Sequence, residues 1–339
     1  MTAAPALTVR GAADLINAVP YLLGFHPVDS LVVVGMADGN IVVTIRVDLE
    51  AAVADPDSVA RSIAAMWRGG ATRYLGLVFD DAAVPCSGDD LLRWGGVVAD
   101  LLTTVNHLSG ELGDVLLVAD QRYWSYQCHG SGCCPDEGQV VAPAASEVPA
   151  RATYAGMVAL PDRRAVERLL DPAPDEIRQA LLQPVKTTID AARDEAVYGD
   201  ARRLDRSDVR AVFAAARDVA SGDLGLDQVD VVRFAAALMR IDVRDSVWIA
   251  IDDARLPDDD LWRHLARVLP APYSAPPLFL IGWAAWRRGH GALALIAAER
   301  ALEADPTYSA ADLLLAALTN GVDPRSMPKV RRPARKYGR

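Results

Sequence analysis

Three of the four cysteines fall within seven residues. Cys128, Cys133 and Cys134 stand in YWSYQCHGSGCCPDEG (residues 123–138), with His129 beside the first. Thiolates and imidazoles are the ligands zinc prefers, and structural sites close with four of them, usually as two C-x2-4-C pairs. Here the spacing is C-x4-C-C and the second pair is missing. Cys128, Cys133, Cys134 and His129 are therefore candidate zinc ligands, with Cys86, His107 or a carboxylate left to complete the set. Three other readings fit the same residues. A Cys128–Cys133 disulfide is sterically feasible, but a reducing cytosol works against it. A nucleophilic thiol needs a base and an orienting group in space, and His129 is badly placed because neighbouring side chains on extended chain face opposite ways. A loop of small buried thiols needs no chemistry.

A second constellation comes from strand ends. Asp48, Asp80 with Asp81, and Asp120 each close a β-branched or apolar run. If those runs lie parallel, the carboxylates share one sheet edge, where open α/β sheets bind ligands. Converging carboxylates suit magnesium or a general base. Arg46, Arg122, Tyr123 and Trp124 flank the same ends and complete the candidate ligand-binding set. Aspartates in such positions also cap the helices that follow.

The elements that must position these residues read as an α/β domain followed by an all-α one. Runs 30–36 and 40–49 flank Asp38-Gly39, a hairpin signal, and 73–80 and 114–120 read as further strands. Helices are expected over 58–68 and 89–108, and a short one before Gly24. These crossovers predict a mixed, mostly parallel sheet with a hairpin at one edge. The cysteine loop, 121–138, is then expected to leave the sheet at the edge that carries Asp120. A last strand is expected at 153–160, after an Ala/Pro-rich stretch.

Beyond residue 162 only helices are expected. LFLIGWAAWRRGHGALALIAAERALEADP (278–306) resembles one tetratricopeptide repeat, with Gly282 where two helices approach, Gly289 in the turn and Asp305-Pro306 at the end. Such hairpins stack, because one alone cannot bury its apolar face. The expected organisation is an α/β domain over 1–160, a helical domain over 161–324 with tetratricopeptide-like hairpins at 243–320, and a basic flexible tail over 325–339.

Charge narrows the partners. The 339 residues carry a formal charge of −10, yet 325–339 hold seven basic residues and no acid. An acidic body disfavours nucleic acid, leaving only the tail to touch phosphate. The first residues lack a basic head and an unbroken apolar core, and no run reaches the ~20 apolar residues of a membrane helix. A cytoplasmic protein with no membrane contact is the expectation.

Taken together, DLINAVPYLLGFHPVDSLVVVGM, RVDL, YWSYQCHGSGCCPDEG and WAAWRRGHGALALIAAERALEADPTYSAADLLLAAL resemble, in order, the bacterial family named domain of unknown function 4192. The resemblance implies that Phe25, Pro27, Asp29, Ser30, Arg46, Asp48, Trp124, Tyr126, Cys128, Cys133, Cys134, Pro135 and Gly138 match recurrent family positions. It implies no activity. The expected function is ligand binding at the sheet's carboxyl edge and protein binding in a helical-repeat groove. An enzyme assisted by metal or thiol at that edge is the alternative.

Overall fold

A computed structural model describes residues 8–83, 93–128, 135–142, 146–220, 225–256 and 260–331. It divides into two compact units, residues 1–166 with 319–323, and 167–318 with 324–339.

The first unit runs α1 (Ala12–Leu23), β1 (Ser30–Ala37), β2 (Asn40–Asp48), α2 (Leu49–Ala54), α3 (Pro56–Arg68), β3 (Arg73–Phe79), α4 (Gly95–His107), β4 (Glu111–Ala119), β5 (Arg122–Ser125), β6 (Gln139–Val140) and α5 (Val148–Tyr154). One sheet takes the order β2-β1-β3-β4-β5-β6. Asp38 and Gly39 adopt φ of 49° and 75°, the paired left-handed residues of a type I′ hairpin turn. Gly24, at φ 84°, ends α1 as expected.

The sheet is mixed, but it is mostly antiparallel rather than mostly parallel. Among the described strands of the sheet, only β3 and β4 pair in parallel. Two hairpins account for the difference. β1 lies between β2 and β3 and is antiparallel to both. Asp120 and Gln121, at φ 45° and 57°, turn the chain straight back into β5, a strand within the expected loop 121–138. Burial agrees with this order, since Leu31 to Val34 of β1 are fully buried whereas the residues of β2 are partly or fully exposed, as on an edge strand.

One sheet face carries Leu31, Val33, Tyr74, Val78, Val115 and Leu117 against Ile63 and Met66 of α3 and Leu101 and Val105 of α4. Each such side chain contributes roughly 1.5–3 kcal/mol when fully buried. The strand expected at 153–160 is not formed. Val148–Tyr154 is helical instead, with Pro149 in its first turn and Gly156 at φ 79° just beyond its end, and only Leu160 pairs, as a bridge to Phe25.

The division between the units falls within α6 (Arg163–Arg168). The second unit is all-helical: α7 (Asp175–Tyr198), α8 (Ala201–Ala220), α9 (Gln228–Leu238), α10 (Ile241–Asp252), α11 (Asp260–Val268), α12 (Ala275–Arg287), α13 (Gly291–Ala304) and α14 (Ser309–Thr319). α12 is buried from Ala275 to Trp286, as an all-round apolar helix must be. It pairs with α13. A Cβ on Gly282 would stand 3.0 Å from Leu314 Cδ2 and 3.3 Å from the Ala294 carbonyl oxygen, so glycine sets how closely the helices approach. Trp248 meets Phe279 and Trp283 edge-on at 5.0 and 4.9 Å.

Buried charge ties this unit together. Asp208, almost fully buried, accepts from Arg233 Nε at 2.7 Å and also pairs with Arg240, which reaches Asp205 at 2.8 Å. Asp252, its side chain fully buried, accepts from Trp283 Nε1 at 3.0 Å, Arg287 Nε at 2.8 Å and the backbone N–H of Val330 at 2.8 Å. Arg287 also donates to the carbonyls of Pro324 and Met327, and Lys329 lies 3.3 Å from Asp253. Residues 324–331 are thereby strapped to the helices.

Candidate functional site

β2, β3 and β4 point the same way, so Asp48, Asp80 and Asp120 do stand along one sheet edge. The register Asp48↔Ser30↔Phe79↔Val118 fixes their order. With β1 intervening, the backbones of Asp48 and Asp80 are separated by two strand spacings of about 4.8 Å each. Asp48, Asp80 and Asp81 each have a local task. Asp48 pairs with Arg46 at 2.6 Å. Asp80, 3% exposed, accepts from Ala82 N at 3.0 Å and Trp94 Nε1 at 2.8 Å, with Arg93 at 3.4 Å. Asp81 accepts from the Asp120 N–H at 3.2 Å. Among the described residues, no three His, Cys, Asp or Glu side chains are placed to hold one metal ion.

Arg46 serves the corner where the chain enters β1. Its Nε donates to Ser30 Oγ at 2.7 Å and its Nη2 to the Val28 carbonyl at 3.3 Å, while Ser30 Oγ donates to that carbonyl at 2.6 Å. Asp29, at φ 45°, turns its carbonyl toward Leu49 N, 2.9 Å away. FHPVDS and RVDL therefore meet as one fastened corner. A single patch accounts for two of the sequence's recurrent segments.

The cysteine loop does not leave at this edge. β5 carries the chain back from Ala119↔Arg122 to Leu116↔Ser125, so the loop departs about four residues, or roughly 13 Å, from the Asp120 turn. Arg122, Tyr123 and Trp124 hold its return. Arg122 Nη1 donates to the carbonyls of Glu137 and Gly138 at 3.2 and 3.0 Å, Tyr123 Oη to Gln139 Oε1, and Trp124 Nε1 to the Asp136 carbonyl at 3.0 Å. Gly138, at φ 76°, lies flat on Trp124, and a Cβ there would run into the indole. Ser125 Oγ donates to Asp114 and accepts from the N–H groups of Gln127 and Cys128, which roots the outgoing strand. The Cys128 thiol is half-buried; His129, Cys133, Cys134 and Cys86 lie outside the described residues.

A family model titled "Domain of unknown function (DUF4192)" matches residues 13–325, which include both the corner and the loop. The chain belongs to the DUF4192 family. No curated protein and no solved structure matches it. The match spans both units, so DUF4192 describes the α/β and helical parts together. Among the described residues no helix is long and apolar enough to cross a membrane.

The surroundings of two features of this DUF4192 chain were not visible in its sequence. The first is Tyr126, whose hydroxyl is buried with no hydrogen-bond partner. Its pKa is pushed up to about 12, mainly by burial; the Trp94 N–H, outside hydrogen-bond geometry, opposes this and Asp80 adds to it. Tyr126 and Trp94 both pack on the sheet core, which joins the root of the cysteine loop to buried Asp80. The signal was present in Trp94, a tryptophan before a helix, but its partner is 14 residues away. A folded-state pKa above the ordinary value near 10 means that ionisation of Tyr126 costs the fold nothing below pH ~10 and destabilises it increasingly as pH rises from there toward 12. Tyr126→Phe is expected to be as stable as wild type or up to ~1 kcal/mol more stable at pH 7, and to lose less stability by pH 10.5. Urea unfolding at both pH values measures this.

The second feature is a cavity of about 620 Å³ in the helical unit. Val209 and Phe213, one turn apart on α8, and Ile249 of α10 contribute apolar lining; Asp253, Arg255, Lys329 and Arg331 contribute charge. Sequence periodicity showed the amphipathic helices. It could not show that residues from the basic tail would close one wall.

Proposed function

We propose that this protein is a cytoplasmic ligand-binding protein whose pocket lies in the helical unit, with the α/β unit as a folded scaffold. The cavity between α8, α10 and residues 329–331 carries this reading. Its volume falls in the range of small-molecule sites, and it combines apolar walls with a few placed polar groups. The sheet edge supports the scaffold role, because Asp48, Asp80 and Asp81 each hold a neighbouring part of the fold. A thermal-shift screen of small molecules against the full chain tests the reading. Compounds that raise Tm are expected, and Ile249→Trp, which fills the cavity, is expected to abolish their effect while keeping the ligand-free Tm within about 3 °C. Hits that act equally on Ile249→Trp would place the pocket elsewhere.

The tetratricopeptide-like pairing of α12 and α13 supports a protein partner as well. Because α12 is buried throughout, such a partner would meet α13 and α14, where Leu313 is exposed.

A further inference from the structure

The charges around the cavity are unbalanced in one direction. Arg255, Lys329 and Arg331 supply three positive charges to its lining, against the single carboxylate of Asp253. Asp253 lies 3.3 Å from both Arg255 Nη2 and Lys329 Nζ, so one negative charge is shared between two cations. The lining is left with a net charge of +2 in a protein whose whole chain carries −10. Arg217, 6.0 Å from the Phe213 ring centroid, adds a further cation on the same helix. A positive pocket in a negative molecule is a selective feature, since the body repels the anions that the pocket would attract unless they also fit its shape.

The apolar side is equally specific. Val209 and Phe213 lie at i and i+4 on α8, beside the buried stripe of Asp208, Val212, Ala216 and Val219 and not within it. Phe213 is therefore a partly exposed ring on a cavity wall and not a core residue. With Ile249 in the same lining, it offers apolar and aromatic surface against which a ring can pack.

Resting on the reading of this cavity as the ligand site, we propose that it takes an aromatic phosphate monoester, a dianion with its ring against Phe213, Val209 and Ile249 and its phosphate among Arg255, Lys329 and Arg331. The charge of such a group, close to −2 at neutral pH, matches the surplus of the lining. Lys329 and Arg331 reach the cavity because Asp252 holds the Val330 N–H at 2.8 Å, so the strap supplies half of the recognition.

Titration calorimetry of the full chain with 1-naphthyl phosphate and with neutral 1-naphthol tests this. The phosphate is expected to bind one to one and at least tenfold tighter than the naphthol. Lys329→Ala with Arg331→Ala should erase that tenfold difference, and Phe213→Ala should weaken both compounds about fivefold; far-UV circular dichroism checks that the variants are folded. If both compounds bind equally and Phe213→Ala weakens both, the phosphate assignment is overturned while the pocket stands. If neither binds at 1 mM, the aromatic phosphate assignment also fails; a library hit abolished by Ile249→Trp would then keep the pocket, and its absence would remove it.

Discussion

Asp208→Ala is expected to destabilise the helical unit by about 3 kcal/mol, because it leaves the charges of two arginines without their shared carboxylate. Arg233 and Arg240 both converge on Asp208, and Arg240 is itself only 20% exposed. Asp205 remains as a second partner for Arg240 at 2.8 Å, and the more exposed Arg233 can turn to water, so the loss lies at the lower end of the usual range for broken buried pairs. Asp208→Asn separates charge from shape. It keeps an acceptor for one arginine and should recover part of the loss. Urea unfolding followed by tryptophan fluorescence measures both variants, the tryptophans Trp248, Trp262, Trp283 and Trp286 all lying in this unit. Equal stability for wild type and Asp208→Ala would mean that the arginines are solvated well enough to need no partner.

The sequence already contained much of the first unit. Asp38-Gly39 specified a two-residue hairpin, and Gly24 specified the end of α1, because only a few residue types accept positive φ cheaply. The directions of β2, β3 and β4 followed from their connections and are as expected. Neighbourhood did not follow. A strand inserted between two others changes no local pattern, and the placement of β1 showed only in its uninterrupted Leu31–Val34 run, which marks a strand buried on both faces. Asp120 and Gln121 concealed the second hairpin because neither is glycine, although aspartate tolerates the left-handed region. That one turn moves the cysteine loop away from the edge where it was expected. Arg122, Tyr123 and Trp124, expected as ligand contacts, bind the loop's own backbone and Gln139 in this structure. Polar and aromatic residues beside a loop look the same in sequence whether they hold a ligand or hold the loop.

The helical cavity was harder to read, since part of its polar wall comes from residues 76 to 78 positions away from their partners at the end of α10. What joins them is Asp252, and its removal should have the other large effect. Asp252→Ala withdraws the acceptor from Trp283 Nε1, Arg287 Nε and Val330 N in one step. Arg287 keeps the carbonyls of Pro324 and Met327, which limits the cost to about 3 kcal/mol. The distinctive result is positional. With Val330 released, Lys329 keeps the solvent-screened Asp253 pair, a weak tether, and residues 328–331 should leave the helices while Arg287 still holds 324–327. Limited trypsin digestion is then expected to cut after Lys329 and Arg331 several times faster in Asp252→Ala than in wild type, before any cut within α8 to α13. Simultaneous cutting throughout the helices would show instead that Asp252 holds the unit's core and that the strap merely follows it. The same variant links the strap to binding, because a released strap takes Lys329 and Arg331 out of the cavity and should lower affinity for 1-naphthyl phosphate as far as their double substitution does, leaving 1-naphthol with the apolar wall of α8 and α10.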